Sequence, residues 1–261
     1  MNAGTIERRD VVPSTWRVLG VEVGEGLRAI RREPAALFFS VLMPVGFFAL
    51  FSSIFGGGAQ GGPGGLPYAA SMLATYGTFG VVSVMLFNPG LGVAEDRTRG
   101  WLRVKKVSAT PLGVTLVARV LAALPYAVAV MLAMSAVTLA IAGPVLGLGA
   151  WLRLVAALVL GALPFALFGL AIGFVASSNA AAAIVNAVFF PMVVASGLWF
   201  PIELMPGWVQ ALAPWLPTFH LSQLAAAQLT GAGALGHLVA LLVTTAIGAA
   251  AAGLAYRNLR V

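Results

Sequence analysis

Cysteine is absent from the chain, which excludes disulfides and thiolate metal sites. Histidine is nearly so: His220 and His237 are the only two, with no Asp or Glu at ligand spacing beside them, so no metal site is expected. Charge is scarce as well. Asp, Glu, Lys and Arg together make up 9% of the residues, where soluble domains carry about a quarter. No G-x-x-x-x-G-K-[ST] phosphate cradle occurs, and "GGGAQGGPGG" at Gly56–Gly65 has no lysine after it, so ATP hydrolysis by these residues is not expected. The first 33 residues hold eleven charged side chains, and therefore lack the apolar core of a signal peptide.

What is present is apolar: 60% of the residues are hydrophobic, the composition of an integral membrane protein. The net charge of +7 then marks the loops retained in the cytoplasm, and no nucleic-acid partner is expected. Charges leave four uncharged runs: Pro34–Ala94, Val120–Leu152, Leu154–Ile202 and Leu204–Tyr256, of 61, 33, 49 and 53 residues. A spanning helix needs about 20 apolar residues. The first run holds two spans split by Gly56–Gly65. The second holds one, ending near Ala142–Pro144. The third holds two split at Ser177–Asn179, and the fourth holds one over about Leu235–Leu254. The reading is all-α with six transmembrane helices. With the N-terminus inside, fourteen basic residues lie in the cytoplasm and only Arg153 lies outside, so both termini are expected to be cytoplasmic.

Two segments on that inner face are amphipathic. In Ser14–Pro34, Trp16, Leu19, Val23, Leu27 and Ile30 recur at steps of three or four, opposite Arg17, Glu25, Arg28 and Arg31. A helix of this kind lies in the headgroup region of the lipid. The second segment, "VAEDRTRGWLRVKKVSATPLG" at Val93–Gly113, holds five of the fifteen basic residues and two of the eight acids. Glu95 and Asp96 are expected to open a short helix, with Lys105 and Lys106 near its end, where each sign suits the helix dipole. Trp101, Leu102, Val104 and Val107 give it an apolar face, and Pro111 stops it. Such a helix, apolar with a basic rim, is a docking element.

Here the sequence resembles the membrane subunits of type-2 ATP-binding-cassette (ABC) transporters. Glu95, Arg97, Gly100, Leu102, Arg103, Thr110 and Pro111 fit that family's loop after the second span, with Trp101 where a threonine is usual. A second match covers Ser196–Leu229, where Ser196, Gly197, Phe200, Pro201, Pro206, Trp208, Pro214 and Pro217 fit a serine-glycine, aromatic-proline and P-x-W pattern. The arginine that often closes that pattern is missing at Gln228–Thr230. The resemblance implies a cytoplasmic N-terminal segment, residues 1–33, and a single six-helix permease domain, residues 34–261. It makes Glu95, Asp96, Arg97, Arg99, Gly100, Trp101, Leu102, Arg103, Lys105 and Lys106 a coupling helix seated on a separate ATPase subunit, which binds the ATP and Mg. It also implies a second permease copy, identical or not, in a bacterial inner (plasma) membrane.

The outer stretch before the last span cannot be one helix, because Pro201, Pro206, Pro214 and Pro217 interrupt it. Its Trp residues suit the membrane interface, and two short re-entrant helices are expected. The family makes this an outer lid, formed by Phe200, Pro201, Glu203, Pro206, Trp208 and Trp215; Glu203 also reads simply as a helix N-terminal acid. Tyr76, Asn88, Asn186, Phe189, Phe190 and Met192 are candidates for the translocation path, with helix–helix packing the other use of the same residues. "GLAIG" at Gly169–Gly173 fits the small-xxx-small packing pattern. The function implied is ATP-driven export of an apolar or amphipathic cargo, such as a drug, antibiotic or lipid. The absence of carboxylates in the spans disfavours ion coupling. The alternative class is a six-span intramembrane serine protease of rhomboid type, with Ser196 and His237 as a dyad, although Val194 stands where that family has glycine.

Overall fold

The computed structural model describes residues 15–32, 41–55, 66–101 and 112–258, and among these every regular element is helical. In order they are α1 (Thr15–Arg32), α2 (Met43–Phe55), α3 (Tyr68–Thr98), α4 (Leu112–Ala142), α5 (Leu148–Gly161), α6 (Leu163–Val175) and α7 (Ser178–Ala195). The short α8 (Gly207–Leu212), α9 (Pro217–Thr230) and the final α10 (Leu235–Arg257) follow, with single 3-10 turns at Ile202–Leu204 and Ala213–Trp215. Five stretches are long and apolar enough to cross a membrane: α3, Leu116–Ala142 of α4, α5 with α6 as one unit over Leu148–Val175, α7 and α10. The expected first span is represented by α2, a shorter apolar helix; the rest of its run, and Gly56–Gly65, lie outside the described residues.

Proline and glycine set the joints. Gly161 and Ala162 separate α5 from α6, and Pro164 sits in the first turn of α6, where a missing N–H costs nothing. Ser177 breaks the chain between α6 and α7 as expected from its sequence. Pro89 does not end α3, which runs through it for 31 residues. In a membrane neighbouring helices and local adjustment re-satisfy the freed carbonyl.

Buried on nearly every side, α3 is the axis of the bundle. Its widest interface is with α6, and glycine makes it possible. A Cβ on Gly90 would lie 2.8 Å from the Gly169 carbonyl oxygen, and a Cβ on Gly173 would overlap the Gly90 carbonyl. The Gly169–Gly173 pair is therefore the α6 face that touches α3. On the other side of α3 stands α4, where Val130 and Met134 fill the space beside Gly80. Across α4 lies α1, with Gly26 against Ala122 and the Tyr126 hydroxyl donating to the Leu27 carbonyl at 3.1 Å. The last helix, α10, packs on α6 through Gly248 against Leu167, and leaves Leu238, Val239, Leu242, Val243 and Ile247 exposed. An apolar surface of this extent suits a hydrocarbon solvent.

One boundary differs from expectation. Arg153 falls inside a helix, in the second turn of α5, and not in a loop. Its exposed side chain lets a cation near a helix end reach polar surroundings while its stem stays on apolar surface.

Candidate functional site

The charged stretch begins as part of α3. Ala94, Glu95, Asp96, Arg97 and Thr98 are helix formers or neutral residues with no breaker among them, so the span continues until Gly100. Glu95 and Asp96 therefore lie in the last turn of α3 and do not open a new helix, which corrects the expectation above. Acids at a C-terminus oppose the dipole. Here cations answer them: Arg99 pairs with Glu95 one turn back, and Arg119 of α4 pairs with Asp96. Gly100 ends the helix with a φ of 77°, its N–H donating to the Arg97 carbonyl at 3.1 Å. Beyond it Trp101 is half exposed. Leu102, Arg103, Lys105 and Lys106 lie outside the described residues.

The Asp96–Arg119 pair is mostly buried, each side chain about one-fifth exposed (19%). Gly92, one turn before Asp96, leaves the space that the Arg119 guanidinium occupies; a Cβ there would overlap it. Sequence reading passed over Arg119. Its signal was solitude, since it is the only charge between Lys106 and Arg153, and a lone cation in an apolar helix needs a partner. The two residues after Asp96 reach other helices. Arg97 Nη1 donates to the Val175 carbonyl at the end of α6 (3.3 Å), and the Thr98 hydroxyl accepts the Ser178 N–H at the start of α7 (3.2 Å).

Further back along α3, three of the path candidates, Tyr76, Phe189 and Phe190, meet other aromatic residues. Phe87 contacts Phe189 at 5.5 Å between ring centroids, Phe189 stacks on Phe79 at 5.6 Å, and Phe79 meets Trp199 edge-on at 5.4 Å. Phe190 joins Phe189 to Trp199 from the side. Trp199 also stacks on Phe47 of α2 at 5.4 Å. Tyr76 is buried against Phe48 and Phe51, and its hydroxyl donates to the Trp199 carbonyl at 3.0 Å. The rings therefore run without a gap from Phe87 to Trp199, joining α3, α7 and the segment after it. Phe79 was not singled out in the sequence, and Trp199 was read only as part of the apolar outer segment. No local pattern marks them, because their meeting depends on the chain folding back after α7.

Two buried polar groups near these rings in the sequence have no partner among the described residues. Asn88 Nδ2, beside Phe87, and Trp199 Nε1 are buried donors without a hydrogen bond. Buried amide and indole N–H groups ordinarily find acceptors. Asn186 is different, since its amide donates to the Ala182 carbonyl of its own helix at 2.7 Å. Met192 is half-buried on the core.

Of the lid candidates, Phe200 packs edge-on against Phe51 at 5.7 Å, while Pro201, Glu203, Pro206, Trp208 and Trp215 are exposed. Glu203 sits in the 3-10 turn directly after Pro201, as a helix-opening acid would. Each proline opens a short helical piece: Pro201, Pro206 and Pro217 stand at or next to N-termini, and Pro214 lies inside the Ala213–Trp215 turn. The expected pair of shallow helices is realised unequally. The longer one, α9, inserts into the bundle against α3, α5 and α10, burying Thr218, Leu221, Ser222 and Ala225.

The protease dyad does not form. Ser196 Oγ shares a hydrogen bond with Thr218 Oγ1 at 2.5 Å, and His237 pairs with His220, Nδ1 to Nδ1, at 3.0 Å. Ser196 thus ties the end of α7 to α9, and each histidine satisfies the other. Among the described residues no group of three or more His, Asp or Glu side chains gathers for a metal.

Five helices long and apolar enough to cross a membrane, with a proline-segmented stretch before the last, mark a multi-pass membrane protein. The chain belongs to the ABC-2 type transporter family, whose model matches residues 22–230. ABC-2 permeases act with an ABC ATPase subunit, and the matched permease region contains no ATPase domain. Among known proteins the chain is similar to the putative transport permease YvfS of Bacillus subtilis (strain 168). The two are 23% identical over 199 residues, covering 74% of this chain and 78% of that protein.

Proposed function

We propose that the chain is the six-span membrane subunit of an ATP-driven exporter for apolar or amphipathic compounds, with α2 as the described part of the first span. In this reading both termini and the Glu95–Lys106 segment are cytoplasmic, in the plasma membrane of a bacterium. The ATPase subunit binds ATP and Mg there, and α1 lies in the headgroup layer. A second permease copy completes the path, and the Phe200–Trp215 stretch forms its outer lid. Fourteen of the fifteen basic residues fall on the side assigned to the cytoplasm, which supports the orientation.

The observation that carries the cargo assignment is the run of rings from Phe87 to Trp199, with one unpaired buried donor on Trp199 itself and another on Asn88, the residue after Phe87. Rings offer stacking surface, and idle donors offer hydrogen bonds to an acceptor the protein itself does not supply. A carboxylate or ammonium cargo has no counter-ion along this run; a neutral aromatic molecule with carbonyl or ether oxygens does not need one. The test is transport of a neutral aromatic dye, Nile red, by the permease–ATPase complex in inside-out vesicles. Asn88→Leu removes one idle donor at nearly constant volume. It should raise the half-saturating dye concentration about three- to tenfold, the worth of one neutral hydrogen bond, while leaving the protein as stable or more so. Unchanged dye affinity with lowered stability would assign Asn88 to packing instead.

A further inference from the structure

We propose that the last turn of α3 is a three-way joint that delivers movement of the segment after it to α4, α6 and α7 at once, and that Thr98 and Arg119 are the positioning residues of that joint. The inference rests on the coupling role given above to Glu95–Lys106. Three consecutive residues face three different helices. Asp96 binds the Arg119 guanidinium, which lies in the space left by Gly92. Arg97 donates to the Val175 carbonyl, one of the orphan acceptors at the C-terminus of α6. Thr98 accepts the amide of Ser178, one of the orphan donors at the N-terminus of α7.

The last contact is the most telling. The residue that precedes α7, Ser177, is of the best capping type, yet its side chain makes no capping bond. The cap comes from α3. The Thr98 hydroxyl is held for the purpose, because it donates to the Ala94 carbonyl at 2.8 Å and so turns its lone pair to Ser178. Arg97 does the matching service at the other side of the same break, where a cation suits a helix C-terminus. The break between α6 and α7 is therefore closed in part by α3, beside its own backbone bonds from Ala176 to Ile172 and from Ala181 to Ser177. Ala94 is buried against Ala176 and Ala181, so the joint is also packed.

A joint of this kind separates two duties within one short stretch. Arg99, paired only within its own helix to Glu95, and Trp101 are exposed and can meet a partner surface. Asp96, Arg97 and Thr98 are bonded inward, to the neighbouring helices, although Arg97 and Thr98 keep exposed surface. Substitutions at the inward set should uncouple without undocking.

The experiment uses the intact permease–ATPase complex, purified by a tag on the permease and reconstituted in vesicles. Thr98→Val removes the acceptor for Ser178 and keeps the shape. Arg119→Gln removes the charge that holds Asp96. For both, the amount of ATPase retained and the basal ATP hydrolysis should match the unaltered complex, while ATP-driven Nile red transport falls about tenfold, within the range for coupling residues that touch neither ligand. Exchanging the pair, Asp96→Arg with Arg119→Asp, should restore transport to within about threefold, which general damage to folding would not allow. Transport at the unaltered level in Thr98→Val and Arg119→Gln would overturn the joint. So would loss of the ATPase from either complex, since that makes these residues docking contacts, and so would failure of the exchanged pair to restore transport. If the unaltered chain retains no ATPase, it is the coupling reading itself that fails, and the two failures are told apart before any variant is made.

Discussion

Gly100 holds a left-handed φ of 77° where α3 stops, and among the described residues nothing lies within 4 Å of where its Cβ would be. Its role is therefore conformational, and the family motif that includes it asks for a backbone shape more than for a contact. Gly100→Ala should cost about 1–2 kcal/mol locally, the penalty of an L-residue in that region. The expected readout is weaker ATPase retention with the bundle's melting temperature unchanged; a chain that fails to accumulate would instead give Gly100 a folding role. Other residue-level features divide by how far the sequence could reach. Glu95, Arg97 and Gly100 were named from a short ordered motif, and the structure places them at the end of α3 and not at the start of a new helix. Arg119 was legible in principle from its isolation in an apolar run. Thr98 and Trp199 were not, since a hydroxyl on one helix capping another, or an indole closing a run of rings, depends on tertiary approach alone.

Among the elements, α3 decides most. Its 31 residues carry the span, the ring run and the joint as one rigid rod, and Pro89 lies between the last two. The sequence marked the apolar part of this helix and placed its end several residues early, because a charged cluster reads as a loop. The chain instead continues to the first residue that can leave the helix cheaply, Gly100. The α3–α6 interface depends on Gly90 and Gly169 letting the backbones touch. Gly169→Leu should push the helices apart and cost about 1–3 kcal/mol or more by overpacking. Thermal unfolding in detergent checks this, and a shift of zero would mean that α6 is held elsewhere. Helix existence followed from hydrophobic run length. The insertion of α9 into the bundle did not, since its composition resembles that of the exposed α8 and only its partners differ.

At the scale of the whole molecule, charge is concentrated before the first span, in the Glu95–Lys106 stretch and at the C-terminus, and the spans carry little. In the proposed reading movement enters from the ATPase subunit, through the charged segment that follows α3. A partner ATPase that binds the permease but not its unfolded form should also raise the permease's melting temperature with increasing ATPase concentration, as linkage requires. The most direct measurement is Nile red accumulation in inside-out vesicles containing the permease with and without its ATPase. Accumulation should require the ATPase and hydrolysable ATP together, and should persist when the proton gradient is collapsed. Accumulation driven by a proton gradient without the ATPase would contradict the account.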